Sequence, residues 1–181
     1  MSYQNSFSRA LANDAKLGAY YTDLAHCESL STFFEFGKET LVLEPAIGNA
    51  AAVKTVLHKE EDDGRYIFGV ELNRDTYEEC LRDDPLLEAV IQGDCIHDTR
   101  ISNKVFTFVF SNPPYGDLEE ASGKKRLEVA FLERIFTLHK KGGILVYVIP
   151  EYVLKDEKFI KQLIGRYEPI HTFRFRQPEY D

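Results

Sequence analysis

The hexapeptide Ser111-Asn112-Pro113-Pro114-Tyr115-Gly116 collects residue types suited to holding an amine. Each proline fixes its own φ near about -65° and pushes the residue before it toward extended geometry, so the loop is stiff before any ligand arrives. Stiffness leaves the amide oxygen of Asn112 and the carbonyl of Pro113 as acceptors pointing into a cleft. Tyr115 adds a flat face on which a planar base can stack.

A second constellation has the chemistry of a nucleoside site. Gly48 sits in a turn after an apolar run, and Glu71 lies 23 positions further on, close to the roughly 20 that separate a glycine turn from a carboxylate that accepts ribose hydroxyls. A glycine turn by itself is only the bend a helix start needs, and the spaced acid is what adds a nucleoside to the reading. Asp94 stands at the end of a third apolar run.

These residues need a scaffold that brings them together, and the alternation of apolar runs with helical stretches supplies one. Strands are expected at 40–44, 66–71, 89–92, 105–110 and 144–149. Helices are expected at 50–58 with Asn49 as cap, at 74–82 ending before Pro85, at 127–139 broken by Lys141-Gly142-Gly143, and at 155–165. Residues 171–176 alternate with period two, as a half-exposed strand does, and residues 1–36 read as a helical extension. The expected fold is α/β: a Rossmann-like, doubly wound, mostly parallel sheet in three α-β-α layers, formed by a single catalytic domain over residues 1–181. In such sheets ligands bind outside the carboxyl ends of the strands where strand order reverses, and every unusual cluster named above falls at such an end.

The chain resembles the adenine-specific N6 DNA methyltransferases, class I enzymes that use S-adenosylmethionine and carry an Asn-Pro-Pro-Tyr loop. Gly18-Ala19-Tyr20-Tyr21-Thr22 is similar to the family segment that closes over the methionine end of the cofactor, and Glu44-Pro45-Ala46-Ile47-Gly48-Asn49-Ala50 to its first-strand loop. Glu71, followed by Leu72, resembles the ribose-binding acid, and Asp94, followed by Cys95, the adenine-contacting acid. The resemblance implies that Tyr20, Tyr21, Thr22, Glu44, Pro45, Ala46, Gly48, Glu71, Leu72, Asp94, Cys95 and Asn112 bind the cofactor. It also implies that Asn112, Pro113, Pro114 and Tyr115 form the catalytic loop. The implied reaction is direct methyl transfer to the exocyclic amine of an adenine flipped out of DNA, in a restriction-modification or mobile-element setting, with neither a metal nor a covalent enzyme intermediate. The sequence departs from the pattern at Ala50 (a glycine in the family), Asp23 (usually proline) and Thr107 (commonly an acid).

Composition bounds these readings. The 181 residues are 44% hydrophobic with a formal charge of -8, the wrong sign for gripping a polyanion with the whole surface, so nucleic-acid contact has to be local. Lys124-Lys125-Arg126 offers one such place, although such a cluster is more often a solvated helix start, and Asp117, Glu119 and Glu120 read as a solvated acidic turn. Cys27, Cys80 and Cys95 form no disulfide or zinc pattern, and the chain shows neither a leader segment nor a membrane-length apolar run, which makes the cytoplasm the expected compartment. No recognition domain follows the sheet, and too few residues follow Arg176 for the family's last strand. The expectation is that a larger protein or a partner subunit completes the sheet and reads the DNA sequence. Two other readings remain open: methylation of a glutamine side chain or an RNA base, and a non-catalytic subunit with a degenerate pocket.

Overall fold

Five of the apolar runs assemble into one parallel sheet in the computed structural model, which describes residues 21–120 and 123–175. Its strands are β1 (Thr40–Glu44), β2 (Arg65–Glu71), β3 (Ala89–Gln92), β4 (Phe106–Ser111) and β7 (His139–Tyr147). They lie in the order β3-β2-β1-β4-β7, and every neighbouring pair is parallel. The fold is thus the Rossmann-like α/β sheet expected from the sequence. The chain winds outward from β1 to β3, then returns to β4 on the other side, so strand order reverses between β1 and β4.

Alternation along the strands sends successive side chains to opposite faces. Val42 of β1 pairs in register with Phe108 of β4, and the Phe108 ring is met edge-on by Phe36 at 4.9 Å and Phe34 at 5.4 Å. On the other face Leu43 and Val109 pack against Ile135 and Leu138 of the long helix α4 (Leu127–Leu138). Each of these buried side chains contributes on the order of 1.5–3 kcal/mol by leaving water. The helices α1 (Leu24–Ser31) and α2 (Ala51–Leu57) pack on each other.

Several local expectations are corrected. The helix expected at 74–82 is a short α-turn, α3 (Arg74–Thr76), followed by a π-turn over Tyr77–Leu81 that the Arg82 N–H closes on the Tyr77 carbonyl at 3.0 Å. Helix α2 begins one residue later than expected, after Ala50 in a left-handed conformation, while the Asn49 side chain accepts from Ala51 N–H at 3.1 Å. The basic cluster leads straight into α4, whose N-cap residue is Arg126, but it is itself extended. Lys124-Lys125-Arg126 lies in strand β6 (Gly123–Arg126), paired antiparallel with β5 (Asp117–Glu120), which replaces the expected acidic turn. The register sets Asp117 opposite Arg126 and Leu118 opposite Lys125, so that one acid of the expected turn faces one base of the cluster. The expected helical extension at 1–36 contains α1, and residues 1–20 lie outside the described residues.

Lys141-Gly142-Gly143 does not interrupt the fifth sheet strand. Strand β7 runs through it, and its pairing shifts register between Phe106 and Phe108 of β4. Gly142 takes φ +82°, and a Cβ on Gly143 would collide with the His139 ring and come within 2.6 Å of the Thr107 carbonyl, so the glycines make room for a bulge over a buried histidine. Burial and the nearby Lys104 charge hold His139 below the usual histidine range, against the opposing pull of a backbone hydrogen bond with Thr107. Folded His139 therefore takes its proton only at a lower pH than it does unfolded. Between those values the unfolded chain binds more protons, and stability falls as pH drops through about 6.5. Urea unfolding at about pH 7.5 and pH 5.5 is expected to show this loss as a difference between two proteins, wild type becoming less stable relative to a His139→Gln variant as pH drops.

The chain divides into two compact units, Met1–Val148 and Ile149–Asp181. The second holds a 3-10 turn, Glu151–Lys155, and helix α5 (Glu157–Ile164), capped by Asp156, whose Oδ1 accepts from Lys158 N–H at 2.8 Å. Residues 171–175 form no strand, contrary to expectation, because the described part of this unit offers no ladder to pair with; Arg176 lies outside the described residues. No helix among the described residues is long and apolar enough to cross a membrane.

Candidate active site

The loops leaving β1 to β4 at their carboxyl ends enclose a cavity of about 280 Å³ at the reversal point of the sheet. Glu44 ends β1 and residues 45–49 follow it, Glu71 ends β2 with Leu72 next, residues 93–96 follow β3, and Asn112 and Pro114 follow β4; all of them line it. Tyr21, Thr22 and Leu24 add a wall from the segment before the sheet, and Leu127 and Phe131 of α4 an apolar one.

Glu71 organises the floor. Its Oε2 accepts from Gly48 N–H at 2.8 Å and its Oε1 from Asn73 N–H at 2.7 Å, so a single carboxylate holds the loop after β1 and the turn after β2. A carboxylate at this position is the acceptor that a ribose diol requires. Gly48 has φ +56°, and a Cβ there would stand 3.1 Å from the Tyr21 ring. The loop is also drawn toward β2 by Ile47 N–H, which donates to the Val70 carbonyl at 2.9 Å. Gly69 makes that approach feasible, since a side chain at that position would collide with Ile47 Cδ1.

Asp94 is held by its own turn, Oδ1 accepting from Ile96 N–H at 2.7 Å and His97 N–H at 3.2 Å. Cys95 and Cys27 are buried, and burial pushes their thiols up to about 11 and about 12, so both stay protonated near neutrality. Glu44 is buried as well, and burial with the neighbouring Glu71 charge pushes its carboxyl well above the usual range.

Across the cavity, Asn112 Nδ2 donates to Thr22 Oγ1 at 3.0 Å, and the Tyr115 hydroxyl donates to Asn112 Oδ1 at 2.8 Å. The oxygen expected to receive an amine is thus covered by Tyr115. Pro113 is buried, and neither it nor Tyr115 is among the residues that line the cavity.

Of the residues singled out from the sequence, Tyr21, Thr22, Glu44, Pro45, Ala46, Gly48, Glu71, Leu72, Asp94, Cys95, Asn112 and Pro114 share one cavity. Tyr20 lies outside the described residues. The three departures from the family pattern have local roles. Ala50 adopts φ +61° as a glycine would, and its methyl group is fully buried and does not line the cavity. Asp23 caps α1 by accepting from His26 N–H at 3.1 Å. Thr107 binds β4 to β1 through the Leu41 N–H and carbonyl. Gly69 and Asn73 escaped the sequence reading, and Ile47 was quoted in the first-strand loop without a role of its own, although a glycine inside a strand run is itself a sign of close backbone approach.

A protein-family model described as an uncharacterised methyltransferase family (DUF6094) matches residues 5–181. Among solved structures, the chain is similar to the methyltransferase subunit of a type I restriction-modification system from Streptococcus thermophilus. That match has a TM-score of 0.61 and 18% identity, and covers 76% of this chain and 35% of that one. The type IIG restriction endonuclease BpuSI matches with a TM-score of 0.58 and 18% identity, over 76% of this chain and 20% of its own. A TehB-like SAM-dependent methyltransferase from Corynebacterium glutamicum matches with a TM-score of 0.50 and 17% identity, over 81% and 73%. The chain therefore spans about a third of the Streptococcus thermophilus subunit and a fifth of BpuSI.

Proposed function

The chain belongs to the uncharacterised methyltransferase family, and from that premise we propose that it moves the methyl group of S-adenosylmethionine to the exocyclic N6 amine of adenine in DNA. The observation that carries the reading is the Asn112 amide, pinned by Thr22 and facing the same cavity as Glu71 and Asp94. The shared fold with two restriction-modification proteins agrees with a DNA acceptor.

The cavity suits the cofactor. Glu71 brings its carboxylate to the cavity as the acceptor for the ribose diol, and Leu72, Asp94 and Cys95 flank the space for the adenine. Glu44, Pro45, Ala46, Gly48, Tyr20, Tyr21 and Thr22 are assigned to the methionine end. Three of the cavity's side chains are carboxyl-bearing, and no Lys, Arg or His lines it among the described residues, which suits a ligand that carries positive charge. When bound, S-adenosylmethionine supplies an electrophilic methyl group on a sulfonium.

The protein's part is to position the amine. Tyr115 turns its hydroxyl away from Asn112 Oδ1 and stacks on the flipped base, and the freed oxygen, together with the Pro113 carbonyl, accepts the two amine hydrogens. That geometry turns the nitrogen lone pair toward the cofactor side. Pro114 keeps the loop from relaxing. Catalysis by this chain is positioning and exclusion of water, with sequence recognition supplied by a further domain or subunit.

Incubating the full chain with methyl-labelled S-adenosylmethionine and, separately, DNA, RNA and glutamine-bearing peptides tests this reading. Label is expected in DNA, recovered as N6-methyladenine after digestion to nucleosides. Label confined to RNA or peptide would overturn the acceptor, and saturable cofactor binding with no transfer to any of them would favour a non-catalytic subunit.

A further inference from the structure

At the end of β1 the Glu44 carboxyl lines the cavity while being 3% exposed, and its buried Oε2 has no hydrogen-bond partner. Its neighbour Glu71 is the opposite case, with two backbone N–H groups on its two oxygens. Among the described residues, the groups that face Glu44 offer no compensating charge. From β2 comes the Glu71 carboxylate, from α1 comes the Cys27 thiol, which stays neutral, and no Lys, Arg or His lines the cavity among the described residues. An ionised carboxylate with a buried oxygen that no donor reaches, beside a like charge, is strongly disfavoured, and the neutral acid is the cheaper occupant.

We propose that Glu44 carries a proton in the ligand-free chain and gives it up when a cationic ligand enters, so that cofactor binding releases a proton to solvent. The inference rests on the cofactor reading above, since the ammonium and sulfonium of S-adenosylmethionine are the incoming charges. In the exchange the Glu44 O–H bond breaks, its electron pair stays on the carboxylate, and the proton leaves to buffer, so the cavity trades one proton for one organic cation. Burial and Glu71 act in the same direction, pushing Glu44 well above the usual carboxylate range. Glu44 thereby discriminates by charge: a nucleoside without a cation has to bind beside the neutral acid and displaces no proton.

The test is calorimetric titration of the full chain with S-adenosylmethionine at about pH 6, where an ordinary glutamate is already ionised and an α-amino group still protonated. Repeating it in two buffers of different ionisation enthalpy gives the protons released. About one proton per bound cofactor is expected from the wild type, with affinity rising up to roughly tenfold per pH unit below the Glu44 titration. Adenosine is expected to release none, and so is S-adenosylmethionine on Glu44→Gln. Saturable binding with no proton release, or release that persists in Glu44→Gln, would overturn the proposal. Absence of cofactor binding at any pH would overturn the cofactor reading itself.

A second measurement does not depend on that variant folding. Folded Glu44 keeps its proton to a higher pH than unfolded Glu44, so the folded state holds more protons above the ordinary glutamate range and its contribution to stability declines as pH rises. Wild-type urea midpoints measured with and without saturating cofactor are expected to converge toward acid and diverge toward neutral pH. A gap that stays constant with pH would overturn the proposal.

Discussion

Changing Asn112 to alanine is expected to lower methyl transfer by about a thousandfold while lowering cofactor affinity far less, since Asn112 is one cofactor contact among many. The side chain is cradled between Thr22 and Tyr115, and on the proposed mechanism its oxygen is one of the two acceptors that turn the amine toward the methyl group. Alanine removes that acceptor and frees the Tyr115 hydroxyl, so a base that enters is held by the Pro113 carbonyl alone. The loop should keep its shape, because its stiffness comes from Pro113 and Pro114. Single-turnover transfer of labelled methyl, paired with calorimetry on the same preparation, measures both quantities. A variant that transfers normally, or one that loses cofactor affinity to the same degree, would show that Asn112 does not serve as the hook.

The second large effect is expected at Glu71. Glu71→Ala leaves the Gly48 and Asn73 N–H groups without their acceptor, and a buried donor left unmade costs about 1–3 kcal/mol each. Loss of unfolding stability of about 2–4 kcal/mol is expected, with cofactor affinity falling about a hundredfold or more as the loop after β1 loses its tether. Glutamine is a poor substitute here, because one of its two positions is an NH₂ that faces a backbone N–H and cannot accept from it. Denaturant unfolding and cofactor titration report the two losses separately, and stability that survived intact would mean that the tether is dispensable. Removing the Glu71 charge also relieves Glu44, so any remaining cofactor binding in Glu71→Ala is expected to release less than the wild-type amount of protons.

Much of this arrangement was legible because strand ends announce themselves. The runs that became β1 to β4 stop at Pro45, Glu71, Gly93 and Asn112, and a parallel sheet of known winding then brings those ends together. What stayed hidden depended on pairing between distant residues or on conformations the residue type does not advertise. Ala50 at φ +61° is a glycine's conformation on an alanine, imposed by the turn between β1 and α2. The β5–β6 hairpin pairs two segments that meet only once the chain has folded back, and taken singly one reads as a solvated acidic turn and the other as a solvated helix start. The covering of Asn112 by Tyr115 was equally out of reach, since side chains three residues apart meet only in a particular loop geometry. Glu44 was named as a ligand contact, but its lack of a partner is a property of burial, which periodicity does not reveal.

The missing side chain at Gly69 has a consequence for how relatives of this protein diverge. Because Ile47 occupies the space where a Cβ would be, the volumes at positions 47 and 69 are tied together. Enlarging residue 69 is tolerable only when residue 47 shrinks, so these positions should drift as a matched pair across the family, and a change at one alone should be purged.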